Sequence, residues 1–216
     1  MENTKRGQDG SRIAFISDEL AKLGTHIKTY NVGAFPVFCL QTHTILRVQD
    51  ILDMHLDDLC LCINGTVRIR EEIIWGKKKI PLNEEVRRKL AWYILQRIQV
   101  KGVREDCLEG LYLCVNKQGN PLQKQVYRKM LERASDELGL SRIYNPQYLR
   151  SLYGYLEIAY GRKTVDAVAE EYGVERYYLL TRIFGGMDIE YEGGLLDEIA
   201  NIDRREGGKE TDAADA

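Results

Sequence analysis

The sequence predicts an α+β fold, mainly helical, in which a bundle of helices carries a small three-stranded antiparallel sheet on one side. Three observations predict it. Apolar residues in the stretch 35–59 recur largely at helical spacing, among them Val37, Phe38, Leu40, Val48, Ile51 and Leu52. Two β-rich runs, 59–63 and 66–70, flank Asn64-Gly65, the strongest short signal for a two-residue hairpin. Helical patterns precede and follow the strands without strand–helix–strand alternation, which argues against a doubly wound parallel sheet.

The elements follow in order. Residues 1–16 read as a disordered N-terminal arm. Ser17 reads as the cap of a short helix over 17–23, with Gly24 as its stop. Residues 29–59 carry one or two helices, interrupted near Pro36 or at 41–44. Arg47 falls inside their apolar face, where a guanidinium needs a partner. Two partners fit: Asp50 in a buried ion pair, or a phosphate, which guanidinium binds bidentately. A further run, 71–82, contains Trp75-Gly76 and then Lys77, Lys78 and Lys79, which predicts a turn with a basic tip feeding the third strand. Asn83 caps a helix to about residue 98, with Glu84 and Glu85 in its first turn as the helix dipole prefers. Residues 123–138 form an amphipathic helix closed by Gly139. Asn145-Pro146 opens a helix over 147–160, Thr164 caps another to 172, and Gly173 separates that from 175–183.

The 216 residues, 44% hydrophobic and 30% charged, suit one globular domain with tails. No apolar run approaches the roughly 20 residues of a membrane span, and the polar start lacks a signal core, so no membrane and a cytoplasmic protein are expected. Five cysteines (Cys39, Cys60, Cys62, Cys107, Cys114) fall mostly in apolar runs, as buried thiols in a reducing compartment do. There is no CxxC, and His26, His43 and His55 lack ligand spacing, so neither metal nor cofactor is expected.

The net charge of −2 argues against nucleic acid, but its distribution does not. From Asp188 onward there are 10 acidic and 3 basic residues; residues 1–187 hold 23 acidic and 28 basic. A mildly basic body carries an acidic tail.

Several segments, in this order, resemble the catalytic domain of tyrosine recombinases, the phage integrase family. Residues 44–52, Thr-Ile-Leu-Arg-Val-Gln-Asp-Ile-Leu, are similar to that family's T-G-L-R-x-x-E-L-L box, and Leu56 with Asp58-Leu59 to its lead into the first strand. Lys77 to Leu82 resemble the basic run and V-P-L that close the family's hairpin. Asn145-Pro146-Gln147-Tyr148-Leu149-Arg150 resembles T-P-H-x-L-R. Tyr172-Gly173-Val174 lies where the family has L-G-H, and Arg182-Ile183-Phe184-Gly185 where many members have R-Y-I-G. The resemblance covers about 17–186, leaving 187–216 as the acidic tail.

That family attacks a DNA phosphodiester with a tyrosine, which requires cations around the phosphorane, a proton donor for the leaving hydroxyl, and the nucleophile. The resemblance implies a phosphate clamp of Arg47, supported by Asp50, and Arg150. The other positions depart. The hairpin lysine aligns with Ile73, or with Ile74 if the turn shifts by one. The histidine of the second box is Gln147, a neutral hydrogen-bonder, the later histidine is Val174, and the nucleophile is Ile183. Lys77, Lys78 or Lys79 are the fallback acid, and Tyr177 or Tyr178 the fallback nucleophile. The separate N-terminal domain with which family members usually encircle DNA has no counterpart before the first helix.

Three functions compete. The preferred one is a double-stranded-DNA-binding pseudo-recombinase, a regulator or accessory factor of a mobile element, holding DNA through Arg47, Arg150, Gln147 and Lys77–Lys79. The second is an active recombinase using a relocated tyrosine. The third is a protein-interaction module whose surface is the series Tyr144, Tyr148, Tyr153, Tyr155, Tyr160, Tyr172, Tyr177 and Tyr178. Lys124, Arg128 and Arg133, near helical spacing, read first as a solvated face. Leu195, Leu196 and Ile199 in the tail form a short amphipathic piece through which a homo-oligomer could assemble.

Overall fold

In the computed structural model, the helix Phe35–Gln41 (α2) has every residue buried, which is why its sequence is apolar all round rather than on one stripe. The structure describes residues 3–63, 66–101 and 108–185. They fall into two units, 19–153 and 3–18 with 154–185.

In the first unit, the end of α1 (Asn3–Tyr30), α2, α3 (Val48–Leu52), α4 (Leu56–Leu59), α5 (Glu84–Lys101), α6 (Lys124–Glu137) and the start of α7 (Pro146–Ala159) supply a shared core. Leu23, Ile27, Leu40, Ile51, Met54, Leu90, Tyr93, Tyr127 and Leu149 are almost wholly inaccessible there. Asn83 caps α5 through Oδ1, which accepts from the Val86 N–H at 2.9 Å. Asn145 does the same for α7, accepting from the Tyr148 N–H at 3.0 Å, as its sequence predicts.

Two expectations are corrected. Helix α1 runs from Asn3 to Tyr30, through most of the segment read as a disordered arm and past Gly24. Gly24 is a point of close approach rather than a stop: a Cβ there would lie 2.8 Å from the Phe38 ring. Ser17 is therefore mid-helix and caps nothing; its hydroxyl meets the Tyr160 hydroxyl at 3.0 Å.

Among the described residues the strands number four, not three. β1 (Cys60–Ile63) pairs only with β2 (Thr66–Ile69), and β3 (Glu72–Trp75) only with β4 (Lys78–Pro81), both antiparallel. The first register joins Ile63 to Thr66, leaving Asn64-Gly65, outside the described residues, as the two-residue connection. The second joins Trp75 to Lys78, so Gly76 and Lys77 form the turn, with Gly76 at φ +59°, where only glycine sits without strain. The runs 66–70 and 71–82, expected to join one sheet, part at Arg70-Glu71 into two separate hairpins.

In the second unit, Thr164 caps α8 (Val165–Tyr172), accepting from the Ala167 N–H at 3.2 Å, and Gly173 ends it in the left-handed conformation. A short helix α9 (Arg176–Tyr178) runs into a π-helical turn, Leu179–Phe184, whose Phe184 packs edge-on against Tyr155. A Cβ at Gly154 would press on Tyr172 and Val168, so the glycine sets how closely α7 and α8 pack. No described helix is long and apolar enough to cross a membrane.

Candidate functional site

The polar break after α2 builds the first part of the site. Thr42 Oγ1 donates to the Phe38 carbonyl at 2.8 Å and Thr44 Oγ1 to the Leu40 carbonyl at 2.6 Å. The Phe38 carbonyl also keeps its bond from the Thr42 N–H at 3.1 Å, while the His43 N–H turns to the Leu40 carbonyl at 3.3 Å, so α2 closes in a tight last turn whose carbonyls the hydroxyls help to satisfy, and α3 starts afresh. Arg47 is thereby the N-cap of α3, extended at φ −73° and ψ 150°, and exposed. This corrects the expectation of an arginine inside an apolar helix face. The link to Asp50 is real but runs through the main chain: the Arg47 N–H donates to Asp50 Oδ2 at 3.0 Å. The Arg47 guanidinium has no hydrogen-bond or ion-pair partner among the described residues.

Arg150, on α7, is half-buried, and its Nε donates to the Ile45 carbonyl at 2.7 Å. Ile45 precedes Arg47 by two residues, a chain distance of about 7 Å at most. A second link lies beside the first: Gln41, fully buried, donates from Nε2 to the Pro146 carbonyl at 3.1 Å. The two bonds fasten the 41–47 segment to the first turns of α7, so the two arginines of the expected clamp belong to one region. Gln147, on the same first turn, is exposed.

On the second hairpin, Ile73 is fully buried and faces Ile80 across the ladder. Ile74, the other residue aligned with the family's lysine, is 60% exposed. All three lysines at the tip are exposed. Lys79 is tied to Glu72 at 3.1 Å, whereas Lys77, in the turn itself, has no partner among the described residues. On α6, Arg128 and Arg133 each pair one turn on, with Glu132 at 2.7 Å and Glu137 at 2.6 Å, the pattern of a solvated helix face.

In the second unit, Val174 and Ile183 are half-buried aliphatics, while Tyr177 and Tyr178 are 41% and 52% exposed. Of the tyrosine series, Tyr144, Tyr148, Tyr155 and Tyr172 are core residues, so the series does not form one continuous surface. Leu195, Leu196 and Ile199 lie outside the described residues.

Two buried charged residues escaped the sequence reading. Glu19 accepts hydrogen bonds from the Ser141 N–H at 2.6 Å, the Ser141 hydroxyl at 2.9 Å and the Tyr144 hydroxyl at 2.8 Å. With that burial, its carboxylate holds the Tyr144 phenol well above the usual range. Arg97 is buried at the end of the apolar series Leu90, Tyr93, Ile94, and that i, i+3, i+4, i+7 spacing was the signal that could have found it. Burial also pushes the thiols of Cys39 and Cys60 up to about 12, as befits core residues.

Comparison with protein-family models matches residues 13–156 to the phage integrase family. Comparison with curated proteins finds no match. Among solved structures, the chain is similar to the XerA recombinase, with a TM-score of 0.57 at 14% identity over 87% of this chain and 63% of that one. It is also similar to the XerH site-specific recombinase, a structure described as bound to its difH substrate in a pre-cleavage complex, with a TM-score of 0.52 at 20% identity over 86% of this chain and 51% of that one. The chain thus spans less than two thirds of the length of either protein.

Proposed function

Because the chain belongs to the phage integrase family, we propose that it binds double-stranded DNA through a tyrosine-recombinase-type domain, has lost strand cleavage, and serves as a regulator or accessory factor of a mobile element. One observation carries the reading. An exposed guanidinium at Arg47, without a partner among the described residues, stands two residues from the carbonyl that holds Arg150, while the two places that align with the proton-donating lysine, sealed Ile73 and exposed Ile74, are both aliphatic. The first half suits a phosphodiester, which guanidinium and ammonium groups hold by charge-assisted hydrogen bonds. The second half removes a group that typically contributes about 10²–10⁴-fold to such a reaction. The aliphatics Val174 and Ile183 remove a general acid–base and the nucleophile as well.

Arg150 also braces the 41–47 segment, so its removal would confuse binding with folding. Arg47 and Lys77 give the cleaner test, because neither has a partner to lose among the described residues. In fluorescence titrations against duplex DNA, Arg47→Ala with Lys77→Ala is expected to flatten the dependence of log K on log salt by about two, one for each phosphate contact removed. Binding equal to that of the parent would refute the clamp. A nicked suicide substrate is expected to give no covalent adduct. An adduct lost in Tyr177→Phe or Tyr178→Phe would overturn the loss of cleavage and leave DNA binding standing.

A further inference from the structure

The junction of α1 and α2, the middle of α5, the segment 113–122 and α6 line an open-mouthed cavity of about 540 Å³ within the first unit. That lies inside the ~300–1,000 Å³ range of small-molecule pockets. Its walls are mostly apolar, with Ala34, Val115, Leu122, Val126 and Met130 among them, and one wall carries Arg97. Arg97 is only 7% exposed. Its Nη1 donates to the carbonyls of Tyr112 and Leu113, and the Leu113 carbonyl already accepts from the Tyr93 hydroxyl at 2.7 Å. Its Nε is buried without an acceptor, and no carboxylate pairs with the guanidinium among the described residues. Carbonyl oxygens satisfy two hydrogen bonds but do not neutralise the charge, and a buried cation without a counter-ion is rare because of what its desolvation costs. The shape is closed on one side by necessity: a Cβ on Gly33 would lie 1.7 Å from the Val115 carbonyl, so the chain there touches backbone to backbone.

We propose that this cavity binds a small organic carboxylate with an apolar body, its carboxylate seated against the Arg97 guanidinium and its body among Val115, Leu122, Val126 and Met130. The lining also carries Lys117 and the amides of Asn31, Gln96, Asn116 and Gln118, but Arg97 is the buried cation among the apolar walls, and a planar carboxylate on an apolar body matches a guanidinium fork with greasy surroundings. The proposal stands apart from the DNA-binding reading, since neither Arg47 nor Lys77 lines the cavity.

The test uses the full chain with octanoate, decanoate and 2-naphthoate, each beside its primary amide, in ligand-observed NMR titrations. At least one carboxylate is expected to bind with a dissociation constant of about 1 mM or below, and its amide about tenfold more weakly. Arg97→Met is expected to abolish the difference between acid and amide. Val126 is 45% exposed, so Val126→Trp tests occupancy without touching the buried arginine, and it is expected to abolish binding. Should Arg97→Met fail to fold, the amides and Val126→Trp still decide. No binding by any of the three acids, equal binding of acid and amide, or undiminished binding to Val126→Trp would each overturn the proposal.

Discussion

An N-cap usually offers a side-chain oxygen to the first free amides of its helix, and a guanidinium has none to offer. Arg47 also places a cation at the positive end of a helix dipole, which Asp50 in the first turn only offsets. Arg47→Ser is therefore expected to raise stability, by about 1 kcal/mol in a denaturant titration, while weakening duplex binding. A variant less stable than the parent would mean that the guanidinium has a structural task. Higher stability with weaker binding would instead mark the arginine as a residue set against local preference for the sake of what it binds. Tyr127 poses the opposite case. Its hydroxyl is buried with no hydrogen-bond partner among the described residues, and burial pushes its phenol well above the usual range. Tyr127→Phe should leave the melting temperature unchanged or raise it, since the phenol's desolvation is uncompensated; a loss of about 2 kcal/mol would reveal a partner for the hydroxyl.

At the scale of elements, the backbone contact between Gly33 and Val115 fixes the α1–α2 junction against the 113–115 segment. Gly33→Ala cannot be absorbed by a rotamer change, because the clash is with a carbonyl. It is expected to cost several kcal/mol, about the scale of severe core overpacking or more, and to appear as a large drop in melting temperature. The same contrast between local and long-range causes explains what the sequence disclosed. Asn83, Asn145-Pro146, Thr164 and Gly173 act on their own neighbours, so the starts of α5, α7 and α8 and the end of α8 were legible. Gly24 was misread as a stop because its reason lies against Phe38, fourteen residues on, and nothing local marked that the runs on either side of Arg70-Glu71 would pair in separate sheets. The site divided likewise. The Arg47 and Arg150 boxes could be seen as strings, but the Ile45 carbonyl that joins them is a main-chain atom, identical in every residue and silent in any alignment of side chains.

At the scale of the whole molecule, the net charge of −2 hides a body of +5 and a segment of −7 beyond residue 187. On the proposed DNA-binding reading, charge of that sign would compete with phosphates for the basic body. Truncation after Met187 is expected to tighten duplex binding, most at low salt. Unchanged or weaker binding would assign the segment another task. On the same reading, binding through Arg47 and Lys77 rests on phosphate contacts and should be steep in its dependence on salt.

The sealed position of Ile73 has a corollary for design. A lysine put there would force an ammonium group into a dry interior, where it would surrender its proton or unravel the hairpin. A proton donor engineered into this hairpin belongs instead at the bend, where Lys77 already stands in water on the Gly76 turn.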